Sequence, residues 1–287
     1  MSPLDFDAFW DGVDAELAAL PMAAELEPMP LHSTATAALY FVRLTSIGPY
    51  RISGYYSVPR SPRPAPGLLL TPRYGSVNHI PDFHDRERYA VLQLIHRGQR
   101  LADEPFAASY PGLLTLGIER PDTYVYRGIV ADCLRGFEFL RAQPDVGQLA
   151  VEGDDLALLT AARRPHFSTV LASDLLLYRL LDAAERTEAY PAEEINDYLR
   201  AYTDRHADVA RTLAYFDARH HVGRIQATTM LVGGDDTAWL QPLRDAFPTP
   251  PIDFKVTHRG AEDHDAQDAW LAGQLGAEPR SRFLQNV

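Results

Sequence analysis

Three residues carry the chemistry that this chain's sequence suggests: Asp155, Asp236 and His264, in that order. Asp155 sits in Gly153-Asp154-Asp155-Leu156-Ala157, after an apolar stretch around Val151 and before the helix-like run Leu156–Ala162. Small residues on both sides of a central reactive side chain form the pattern of a nucleophile elbow, a sharp strand-to-helix turn that holds one residue above a sheet. Small side chains are needed there because strand and helix backbones approach closely. The usual central residue is serine; here it is Asp155, and no G-x-S-x-G occurs in the chain. The same Gly-Asp-Asp run also suits an ordinary turn in which an aspartate caps the following helix.

Asp235 and Asp236 follow the strand-like segment Gln226–Val232, and His258 and His264 follow Ile252–Thr257. Nucleophile, acid, histidine is the chain order of an elbow hydrolase. The histidine takes the nucleophile's proton and the acid orients the ring. A carboxylate in place of the serine changes the chemistry. Its attack on an ester gives a mixed anhydride, which is more activated than the substrate, whereas attack on saturated carbon gives an ester that His264 and Asp236 can hydrolyse with water. Three readings follow: a member of a hydrolase family that has lost its nucleophile, a hydrolase using Asp155 as nucleophile or base, and an esterase using serine or water in another geometry. Asp154, Asp155, Asp236, Glu262, Asp263 and Asp265 crowd like charges toward one mouth, which raises carboxylate pKa values and favours a protonated histidine.

Other clusters offer less. Asn78-His79 and Asp82-Phe83-His84-Asp85 match no metal-site spacing, and adjacent His220-His221 point in different directions. No G-x-G-x-x-G and no Walker loop is present, so neither metal nor nucleotide cofactor is expected.

The elements that must position these residues alternate between strand and helix, which predicts an α/β layered fold in one domain over 1–287. Phe6, Phe9, Trp10, Val13, Leu17 and Leu20 share one face of an N-terminal amphipathic helix within residues 1–22, capped by Ser2 ahead of Pro3. Leu39–Ser46 and Tyr50–Val58 alternate as a hairpin around Ile47-Gly48-Pro49. Gly67–Thr71 and Ala90–Ile95 read as buried parallel strands, and Leu101–Glu119 as a surface excursion. Asp122 is placed to cap a helix over Thr123–Gln143 that carries Cys133 on its apolar side. After the elbow come a strand at Thr169–Ser173, a helical insertion over about 175–217, the strands Gln226–Val232 and Ile252–Thr257, and a closing helix over Asp265–Leu275.

Composition narrows the classes. A formal charge of −12 in 287 residues disfavours nucleic-acid binding, which needs a basic surface. A single cysteine, Cys133, excludes an internal disulfide and fits a reducing compartment. The acidic N-terminus does not resemble a secretory signal, and no segment approaches the ~20 apolar residues of a membrane span. A cytoplasmic protein is expected.

Several motifs together resemble those of the acetyl xylan esterase and cephalosporin C deacetylase family of carbohydrate esterases. Phe6-Asp7-Ala8-Phe9-Trp10 resembles the family's N-terminal helix, Arg97-Gly98-Gln99 its R-G-Q, and Gly117-Ile118 through Tyr124-Val125-Tyr126-Arg127 its G-I…Y-Y-Y-R. Tyr215-Phe216-Asp217 with Arg224-Ile225 resembles Y-F-D…R-I, Gly234-Asp235-Asp236-Thr237 the G-x-x-D-T of the catalytic acid, and His264-Asp265 the terminal H-E. The resemblance implies an α/β-hydrolase with a Ser-His-Asp triad, acting on acylated small molecules such as acetylated carbohydrates, usually as a cytoplasmic homo-oligomer. It implies an oxyanion hole from the backbone N–H groups of Tyr74 and Leu156. The chain departs from the family at Gly153-Asp154-Asp155-Leu156-Ala157-Leu158, where the family has G-x-S-Q-G-G. Pro72-Arg73-Tyr74 replaces H-G-Y, and the stretch between elbow and next strand is shorter.

Overall fold

A computed structural model describes residues 2–61, 64–234, 236–257 and 260–280. Asp235 and His258 lie outside the described residues. In chain order the elements are α1 (Phe6–Ala18), β1 (Glu25–Pro28), β2 (Ala37–Ser46), β3 (Tyr50–Pro59), β4 (Ala65–Leu70), α2 (Phe83–Arg88) and β5 (Ala90–Ile95). They continue with α3 (Val125–Arg141), β6 (Val146–Gly153), α4 (Asp155–Arg163), β7 (Phe167–Ser173), α5 (Leu180–Ala184), α6 (Glu193–Ala201) and α7 (His206–Ala214). The last four are β8 (Thr228–Gly233), α8 (Thr237–Arg244), β9 (Ile252–Lys255) and α9 (Ala261–Leu275).

Among the described residues nine strands form one sheet in the order β1-β2-β3-β5-β4-β6-β7-β8-β9. The first three pairings are antiparallel and every pairing from β5 to β9 is parallel. Central strands of such a sheet are covered on both faces, which is why they read as continuous apolar runs. Leu69, Leu92, Val151 and Val170 join the larger core with α3 and α4, while Leu68, Val91 and Ala150 pack beneath Leu271 and Leu275 of α9. No helix among the described residues is long and apolar enough to cross a membrane.

The amphipathic N-terminal helix docks on its own chain. Phe6, Trp10, Val13 and Leu17 are buried, and the Trp10 indole N–H donates to the Tyr215 carbonyl at 3.2 Å. Arg163 and Arg164 hold its Asp14, Arg163 also Asp11, and Arg127 its Glu16. The helix is shorter than expected: Asp5, not Ser2, stands at the cap position.

Two other boundaries are corrected. Asp122 does not cap α3; its carboxylate pairs with Arg120, and Tyr124 precedes the first helical residue. The closing helix starts at Ala261, not Asp265, because an extended Gly260 ends the preceding loop and Glu262 and Asp263 suit a helix's first turn. Cys133 is buried in α3, and burial pushes its thiol well above the usual range.

Candidate active site

The elbow region begins where β6 ends. A Cβ on Gly153 would fall 1.8 Å from Thr71 Oγ1, so this position has no room for a side chain unless Thr71 shifts. One residue later the chain turns, and α4 starts at Asp155. The residue at the bend is therefore Asp154, not Asp155. The Asp154 carboxylate caps α4, accepting the Leu156 N–H at 2.9 Å. Burial raises its pKa to about 6, against the pull of its own hydrogen bond and of Arg73.

Asp155 is one residue inside the helix and fully buried. Its Oδ2 accepts the backbone N–H groups of Leu176 and of Leu177, the latter at 2.8 Å, while Oδ1 has no partner among the described residues. Burial first, and the neighbouring Asp154 second, raise its pKa to about 8.

The expected oxyanion donors fare differently. The Leu156 N–H is occupied by Asp154. The Tyr74 side chain, in the loop after β4, donates its hydroxyl to Glu194 of α6, whose other oxygen accepts the Leu114 N–H at 2.9 Å. Glu194 is itself buried, which raises its pKa. The insertion is thus fastened to α4 at Asp155 near its root, and through Glu194 to the loop after β4 and to Leu114 further along.

At the carboxyl ends of β6 to β9 lies a cavity of about 670 Å³, lined among others by Arg73, Ser173, Asp236, Trp239, Asp263 and His264. Asp236 and His264 therefore face one space, and Asp155 is not among its lining residues. Asp236 is an exposed cap of α8, accepting the Trp239 N–H at 3.0 Å, with Arg186 3.8 Å away. His264 is an exposed residue in the first turn of α9, not in the loop before it. Among the described residues no hydrogen bond joins Asp236 to His264. The acidic neighbour that turns inward is Asp263, which accepts the Thr257 N–H at 3.2 Å and hydroxyl at 3.1 Å.

Ser173 was not anticipated. It ends β7, lines the cavity, and its Oγ accepts from Arg73 Nη2 at 2.9 Å. Arg73 also pairs with Asp174 at 3.2 Å. At the rim, the Arg179 and Arg186 guanidinium groups lie 4.1 and 4.2 Å from the Trp239 ring centre. No motif marks these residues; position at the end of a core strand is the one signal that could have pointed to Ser173. The His/Asp cluster near residue 80 is structural: Asp82 caps α2 and Asp85 pairs with Arg88. His221 packs against Phe6 and Trp10 with Nε2 on the Tyr215 carbonyl, and burial lowers its pKa to about 3.

The family model described as acetyl xylan esterase (AXE1) matches residues 1–243. The acetyl xylan esterase from Paenibacillus sp. R4 superposes with a TM-score of 0.82 at 23% identity, over 97% of this chain and 96% of that one. Acetyl xylan esterase 1 from Thermoanaerobacterium sp. JW/SL YS485 gives 0.76 at 21% identity, over 93% of each chain. The α/β-hydrolase GrgF from Penicillium sp. sh18 gives 0.55 at 15% identity, over 83% of this chain and 96% of that one. The chain belongs to the acetyl xylan esterase family and has the α/β-hydrolase fold.

Proposed function

We propose that this chain is an acetyl xylan esterase family member whose elbow has become a structural turn, so that it does not hydrolyse esters by the serine–histidine–acid route. One observation carries the reading: the Asp154 carboxylate is hydrogen-bonded to the Leu156 N–H. A single side chain thereby stands at the bend, where a hydroxyl is needed, and takes the donor that a tetrahedral oxyanion requires. Asp155 compounds the loss, since a fully buried carboxyl holding two backbone N–H groups has no path to a substrate. Among the described residues, Asp236 and His264 remain at the cleft without a hydrogen bond to one another, which roles as acid and base require. In this reading the cleft binds an acylated small molecule, such as an acetylated carbohydrate, in a cytoplasmic homo-oligomer, with no cofactor.

A second reading, an active carboxylic-ester hydrolase, is favoured by Ser173, the one hydroxyl-bearing side chain among the cavity's described lining residues. Labelling with a fluorophosphonate, followed by peptide mapping, separates the two. The first reading expects no serine adduct in the native protein. An adduct on Ser173 that is absent in His264→Ala establishes the second and removes the first.

A further inference from the structure

Asp155 has no part in the cleft chemistry, yet it occupies the most costly position for a carboxyl group in the elbow. It is fully buried, it follows directly on a second carboxyl group that is itself only 6% exposed, and one of its oxygens has no hydrogen-bond partner among the described residues. Its other oxygen gathers two consecutive backbone N–H groups from the segment that leads out of β7. Asp174 and Leu175, in the same segment, line the cleft. Asp174 adopts the left-handed conformation with φ 53°, so the segment leaves the strand through a sharp bend.

We propose that Asp155 is a proton-operated latch: neutral, it closes residues 174–177 over the elbow, and ionised, it favours their release and so reshapes one wall of the cleft. The proposal stands whether or not the cleft turns over esters.

The chemistry of the two forms differs in the closed state. A neutral carboxyl group presents its carbonyl oxygen to both N–H groups and leaves only a hydroxyl unpartnered, at a cost of about 1–3 kcal/mol. A carboxylate leaves a buried charged oxygen without a donor and beside Asp154, which is dearer still. Release of 174–177 admits water to that oxygen, so the open state favours ionisation.

The other charged and titratable groups around the pair do not reverse this. Arg73, from the loop after β4, is paired with exposed Asp174, and its influence falls on Asp154. Tyr126 and Cys133 of α3 and Tyr110 of the 101–119 excursion stay neutral near physiological pH, because burial pushes each pKa up. Glu194 and Tyr74 hold the insertion at a separate tie.

The sign follows from linkage. Asp155 binds its proton more tightly closed than open, so closure is strongest in acid. It weakens as pH rises from the ordinary carboxylate range toward the closed-state value of about 8, by about tenfold in the opening constant per pH unit.

Native-state hydrogen exchange read by mass spectrometry tests this on the wild-type chain and on Asp155→Asn, whose amide oxygen can still accept both N–H groups. After correction for intrinsic exchange, opening of a peptide over residues 174–180 is expected to rise about tenfold per pH unit between pH 5 and 7 in wild type, and to rise less steeply in Asp155→Asn, where Asp154 beside Asp174 still titrates. A flat wild-type profile, or equal slopes in the two proteins, overturns the proposal. A ¹³C carboxyl titration of wild-type Asp155 needs no variant: a midpoint above 6 supports the latch, and one at or below 6 overturns it.

Discussion

Replacing Asp155 with asparagine should stabilise the protein at neutral pH and do so progressively less in acid. Asp155 is neutral when folded and ionised when unfolded over the range between the ordinary carboxylate pKa and about 8. Folding therefore takes up a proton, and the stability that Asp155 allows is fully present in acid and lost as pH rises through that range. One proton corresponds to about 1.4 kcal/mol per pH unit. In the wild type this slope is masked. His96 and His221 are buried and neutral, with pKa values lowered to about 4 and about 3, so they remove stability as pH falls below about 6.5. The carboxyl pair and the histidine pair act in opposite senses between pH 5 and 6.5. Asparagine removes one counterweight and leaves the other groups in place. The stability gap between variant and wild type should then shrink by about 1.4 kcal/mol per pH unit from pH 7 to pH 5. In a chain of 287 residues that is roughly 2 °C in Tm per pH unit. Thermal or urea unfolding of both proteins at matched ionic strength measures it. A gap independent of pH, or an asparagine variant less stable than wild type at pH 7, refutes the reasoning, because it means that Asp155 is ionised in the folded state.

Two further substitutions test the packing around the site. Gly153→Ala puts a methyl group 1.8 Å from Thr71 Oγ1 and should cost about 1–3 kcal/mol in urea unfolding, with partial recovery in a Thr71→Ala background. Trp10→Ala removes a fully buried indole that packs on Phe216 and His221. It should cost about 3–5 kcal/mol, with α1 becoming protease-sensitive before the sheet does.

Much of the scaffold was legible because its strands are buried on both faces. Ala90–Ile95 coincides with β5, and the hairpin around Gly48 appears as β2 and β3. Strand β1 gave no signal: all four of its residues are exposed, and it is defined by pairing to β2 alone. The candidate site was legible in chain order and in placement at strand ends, but not in geometry. In Gly153-Asp154-Asp155 either aspartate suits the bend. The choice falls to Asp154 because only that register lets α4 start immediately and receive a cap. His264 reads as a loop residue because Glu262-Asp263 and Asp265 are equally suited to a helix's first turn, and the structure places the earlier pair in the first turn of α9. Ser173 was hidden because nothing local in Ala172-Ser173-Asp174 shows that Arg73, a hundred residues away in sequence, bonds to it.

The central claim is that the elbow no longer supports acyl transfer, and the most direct measurement is the initial rate on a chromogenic acetyl ester. Wild type and His264→Ala should both run at the rate of buffer alone. Turnover by wild type that disappears in His264→Ala contradicts the account.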